Sequence, residues 1–203
     1  HELWRSLAHI HLKWKNYRSL YGTSPERIEL LNWAAPSFFG LLDGILRHDV
    51  LLAIARLTDP ARSAGRDNAS LARLIESLAT TVDNKLVTAW LEKLKALQDY
   101  CEPLRALRNR FLAHEDLATV LHYHPEPLPG ISRSYVEGAL ERLRDLFGSI
   151  EKTYRGSRTS HEHIISGRGD GEALVFVLEK AQEHEKGRRE AFGRRSGLAS
   201  ESE

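Results

Sequence analysis

Leu94, Leu97, Cys101, Leu104, Arg108 and Phe111 follow one another at intervals of three and four, all of them apolar but Arg108. That spacing is one face of an amphipathic helix. It predicts a single long helix from Asp83 to His114, with a kink at Pro103, because proline removes a backbone donor and clashes with the preceding turn. A helix of that length suits the spine of a bundle or a dimer interface.

The same periodicity recurs along the chain. Leu3, Leu7, Ile10, Trp14 and Tyr17 mark a first helix that Gly22 ends. Ser24-Pro25 reads as an N-cap followed by proline at the first helical position, opening a run interrupted near Pro36. From Ser37 to Thr58 a strongly apolar pattern carries Phe38, Phe39, Leu42, Ile45, Leu46, Leu52 and Ile54, and Asp59-Pro60 closes it. Residues 61–67 are polar and read as a loop, and Asn68 is expected to cap a short helix through Leu71, Leu74, Ile75 and Leu78. Three prolines and a glycine between His124 and Gly130 exclude regular helix there. Ser134 with Glu137 has the spacing of a capping box for a helix through Leu140, Leu143, Phe147 and Ile150. The stretch 156–169 is polar, and a last helix over 170–185 is expected to pack through Ala173, Leu174, Val177 and Leu178. The alternation that half-buried strands need is missing, so the fold class is all-α: a bundle of four or five core helices with extra terminal helices. One domain is expected over 1–186. The basic residues of 187–203 read as a disordered tail.

A net charge of +1 in 203 residues excludes an indiscriminate polycation, so any contact with nucleic acid must come from local clustering. No apolar run approaches the roughly 18 residues that cross a bilayer, and the first residues lack a signal-peptide layout. The single Cys101 falls in the apolar stripe and reads as a small core residue. A reducing cytoplasm is the expected location. The chain contains no methionine, even at position 1, and nothing is drawn from His1.

Reactive side chains concentrate in Arg108-Asn109-Arg110-Phe111-Leu112-Ala113-His114. Arginine is a permanent cation whose planar fork suits phosphate oxygens, and histidine can move a proton near neutral pH. Arg108 also occupies a slot the stripe reserves for apolar residues, so it must meet a carboxylate, a partner subunit or an anion. A structural ion pair to an acid on another helix satisfies that demand as well as a catalytic role does. Asp49, in the second long apolar helix, is a candidate partner for Arg108 or His114. On a regular helix Arg108 and His114 are separated by ~240° of rotation and ~9 Å of rise, whereas Arg110 and His114 share a face. Joint action of Arg108 and His114 therefore requires an irregular helix end or a second copy of the chain.

The histidine pairs His9/His11, His122/His124 and His161/His163, and His48 with Asp49, give no convergent set of three or four ligands, so no metal is expected. His122 and His124 follow His114 closely enough to line a common cleft.

The Arg-Asn dipeptide and the histidine five residues beyond it resemble the Arg-x(4-6)-His signature of the HEPN superfamily. The segments Arg47-His48-Asp49, Arg56-Leu57-Thr58-Asp59-Pro60 and Asn68-Ala69-Ser70-Leu71 make the chain most similar to the abortive-infection (AbiU2-like) HEPN group. The resemblance covers roughly residues 25 to 185. It implies a HEPN-like bundle and a metal-independent endoribonuclease of a bacterial toxin or phage-defence system, working without cofactors as a homodimer with a composite RNA cleft. It further implies Arg108 and His114 as catalytic residues, with Asn109, Arg110 and Asp49 supporting them or binding substrate. The alternative it allows is a catalytically inactive HEPN module acting through an antitoxin, such as a nucleotidyltransferase, or through a phage-sensing partner.

Overall fold

The computed structural model describes residues 2–109, 130–159 and 169–200, with side chains of the last segment described as far as 192. Arg110, His114, His122, His124, His161 and His163 lie outside the described residues. The described chain is all-α: α1 Glu2–Tyr21, α2 Pro25–Ala34, α3 Pro36–Leu57, α4 Leu71–Leu78, α5 Asn84–Tyr100, α6 Glu102–Leu107, α7 Arg133–Arg155 and α8 Gly171–Ser200. None of these helices is long and apolar enough to cross a membrane. The chain divides into two compact units, one of residues 1–13 and 47–164, the other of residues 14–46 and 165–203.

In the first unit α5 packs on α4 and α7. Trp90, Leu94 and Leu97 of α5 are buried, as are Leu71 and Ile75 of α4 and Leu140, Leu143, Phe147 and Ile150 of α7. The spacing of these residues puts one apolar stripe per helix into a common core. Where α5 ends, the Tyr100 and Tyr135 rings stack at 4.7 Å, with the Arg142 guanidinium 3.9 Å from the Tyr100 centroid. Gly138 is required here, since a Cβ at that position would stand 2.4 Å from the Tyr100 hydroxyl.

The single long helix expected from Asp83 onward is two helices. Asp83 does cap α5, its carboxylate accepting from the Lys85 amide at 2.7 Å. Regular helix then stops at Cys101 (φ −87°, ψ 7°), and α6 starts at Glu102 with Pro103 in its first turn, where no helical donor is needed. Pro103 thus restarts a helix rather than kinking one.

Two caps also differ from expectation. Ser70, not Asn68, caps α4 by accepting from the Arg73 amide, while the Asn68 side chain donates to the Pro60 carbonyl. Ser132, not Ser134, caps α7, and the Ser134 hydroxyl bonds to that of Ser132. In the stretch expected to be loop, Arg62–Ser63 pairs antiparallel with Arg66–Asp67. Ala64 and Gly65 between them both have positive φ (47° and 74°), as a tight hairpin turn requires.

The second unit has a core of Leu20, Leu30, Leu31, Phe39 and Val175, flanked by Tyr21, Leu42, Leu46 and Leu178. The sequence predicts that the last helix packs through Ala173, Leu174, Val177 and Leu178; Leu178 does lie against this core, whereas Leu174 and Val177 are exposed and Val175 is buried instead. The Gly171 amide donates to Asn16 Oδ1 at 2.6 Å, and this anchor turns the Gly171 and Val175 face inward. The helix continues to Ser200, through much of the stretch whose composition predicts a disordered tail. Arg188 and Arg189 both bond to Glu185, at i+3 and i+4, which supports helix locally and holds the Glu185 carboxyl down at about 2.

Cys101 is fully buried, and burial pushes its thiol up to about 11. Protonated and enclosed, it should resist iodoacetamide at pH 7.5 in the native protein and alkylate readily once urea unfolds the chain. Mass spectrometry checks this, and fast labelling of the folded protein would contradict the packing around the α5–α6 junction.

Candidate functional site

The site is built where the end of α3 meets the end of α6. α3 closes at Leu57, and the buried Thr58 finishes it, its hydroxyl donating to the Ala55 carbonyl at 3.0 Å. Asp59 follows, then Pro60, which cannot continue the helix. Both neighbours of Asp59 are tied down. Gln98 of α5 donates from Nε2 to the Thr58 carbonyl at 3.0 Å, and the Pro60 carbonyl accepts from Asn68 Nδ2 at 2.8 Å and the Ser70 hydroxyl at 3.3 Å.

Arg108 approaches this corner from α6. Its Nη1 donates to Asp59 Oδ1 at 2.6 Å and Oδ2 at 2.8 Å, and its Nε donates to Asn109 Oδ1 at 3.0 Å. The two ionic side chains are about one-fifth exposed, 20% for Arg108 and 19% for Asp59. The apolar stripe therefore does carry Arg108 into a largely buried place, where a carboxylate meets it. Among the described residues Nη2 is engaged by nothing, so one edge of the guanidinium fork is left for another acceptor. Arg105, one turn earlier, is tied to the Gln98 carbonyl and to Glu102 Oε2, the latter at 3.0 Å, so the end of α6 is fastened to α5 as well.

The acid that meets Arg108 is Asp59 rather than Asp49. Asp49 accepts from Lys13 Nζ at 2.6 Å, joining α3 to α1. Sequence reasoning did not single out Asp59 as a site residue, although it stands in the Asp59-Pro60 stop and in the Arg56–Pro60 segment that carries the resemblance. Asn109 is exposed, and its Oδ1 accepts from Arg108 Nε. The backbone at Arg108 and Asn109 is wound in a π-helical turn. Such widened turns are uncommon and concentrate at functional positions. Among the described residues no three of His, Cys, Asp or Glu are placed to hold a metal ion.

The family described as HEPN AbiU2 matches residues 1–174. With most of its length matched, the chain belongs to the AbiU2 family of HEPN proteins. No curated protein and no solved structure matches it.

Proposed function

We propose that this protein is a metal-independent endoribonuclease acting in abortive infection, cutting RNA at a composite cleft between two copies of the chain. The observation that carries this reading is Arg108: in a chain of this family it is held from two sides, by Asp59 and Asn109, while Nη2 is left for a phosphate oxygen. In the reaction the ribose 2′-hydroxyl attacks the adjacent phosphorus as the bond to the 5′-oxygen breaks. A 2′,3′-cyclic phosphate and a 5′-hydroxyl result. His114 takes the 2′-hydroxyl proton or delivers one to the leaving oxygen, since an imidazole is matched to proton transfer at neutral pH. Arg108 binds the non-bridging oxygens as their charge develops. Because the nucleophile is the 2′-hydroxyl, DNA is not a substrate.

Structured and single-stranded RNA incubated with the protein in EDTA should be cut to cyclic-phosphate ends, with DNA of the same sequence left intact. Equal cleavage by wild type, Arg108→Ala and His114→Ala would overturn the assignment.

The Arg108–Asp59 pair also favours a second reading, since an arginine already neutralised by a carboxylate meets the requirement for a structural ion pair. The protein would then be an inactive HEPN module that works by binding an antitoxin or a phage-sensing partner. Expression in bacteria separates the two: an active nuclease is toxic, and His114→Ala abolishes the toxicity.

A further inference from the structure

Asp59 enters neither the motif nor the chemistry just described, yet it is the most firmly built group in the corner. We infer that Asp59 is a positioning residue for the cleavage reaction, one that fixes the rotation of the Arg108 guanidinium so that its Nη2 edge faces substrate. This rests on the reading of the protein as a ribonuclease.

An arginine side chain carries about 2 kcal/mol of rotamer entropy, so a guanidinium free to swing would lose much of its advantage on each encounter with phosphate. Here that freedom is already removed. Asp59 takes Nη1 with both oxygens, Asn109 takes Nε, and only Nη2 remains among the described residues. The support beneath Asp59 is equally firm. Thr58 is held to α3 through its own hydroxyl and to α5 through Gln98, and Pro60 is held by Asn68 and Ser70. Asn68 therefore serves the loop that presents the carboxylate, which accounts for its absence from the α4 cap. The carboxylate also offsets the charge of Arg108, so the arginine acts through directed hydrogen bonds more than through long-range attraction.

The test compares wild type, Asp59→Asn and Asp59→Glu on RNA in EDTA, with kcat and KM measured separately and the folded fraction of each protein taken from its thermal unfolding curve. Asparagine keeps the shape but turns an amide N–H toward Nη1, where a donor now meets a donor. Asp59→Asn is expected to lower kcat about 100-fold, the scale of a misplaced catalytic group, while KM stays within about threefold. Asp59→Glu should recover part of the loss, because the charge returns on a longer arm. As a readout independent of turnover, the Arg108 Nη1–H protons, which Asp59 accepts, should exchange with solvent faster in Asp59→Asn than in wild type. An Asp59→Asn protein with wild-type kcat, or one whose loss only tracks its unfolded fraction, overturns the inference while leaving the ribonuclease in place. A wild-type chain that cuts no RNA overturns the ribonuclease, and the positioning role with it.

Discussion

Arg108→Ala is expected to lower RNA cleavage by about 10²–10³-fold, the usual consequence of removing one donor from a group that stabilises developing charge on oxygen. The substitution has a second effect that must be separated from the first. It leaves the Asp59 carboxylate four-fifths buried with no cation beside it, which costs on the order of 1–3 kcal/mol of stability after allowance for partial solvent access. Adding Asp59→Asn to Arg108→Ala removes the stranded charge. The double variant should therefore regain thermal stability relative to Arg108→Ala and regain no activity. Initial rates at equal folded concentration, paired with urea unfolding of the same preparations, check both halves. Recovery of activity along with stability would show that Arg108 acts only in folding.

Trp90→Ala carries the largest expected effect on stability, about 3–5 kcal/mol, because truncating a buried aromatic loses its transfer free energy and leaves a cavity. Trp90 is 2% exposed in the middle of α5, the helix that packs on both α4 and α7. Against a total of roughly 5–15 kcal/mol for a domain, that is enough to leave a large fraction of the chain unfolded at 37 °C. The urea midpoint should fall with the m-value unchanged. Activity should fall too, and in proportion to the unfolded fraction, since α5 carries the Gln98 that fastens Thr58 and Arg105. Loss of activity without loss of stability would mean that Trp90 is not the core residue its burial indicates.

The helices themselves were legible because burial leaves a period of three and four in the order of residues, and every long stripe in the described chain is a helix. Their ends were less so. A serine or asparagine near a helix start is a cap only if its oxygen reaches the right amide, and Asn68 and Ser134 have other partners. Leu174, Val175, Phe176 and Val177 are all apolar, so periodicity cannot choose the buried face of α8; the Gly171 contact with Asn16 does. At the site, Arg108 stood out as a charge in an apolar slot. Its partner did not, because the pair closes a loop of 49 residues and nothing local distinguishes Asp59 from Asp49. Only the folded chain shows which carboxylate arrives.

The break at Cys101 makes the two halves of the predicted spine unequal in what they tolerate. Downstream of Pro103 a single added residue within the six of α6 would rotate Arg108 by about 100° and carry it away from Asp59. The same addition between α4 and α5 falls in a surface turn, upstream of a helix whose packing is set by its own stripe, and turns can absorb length. Insertion tolerance along the chain is thus a map of where the arginine takes its aim, and that aim is set within α6.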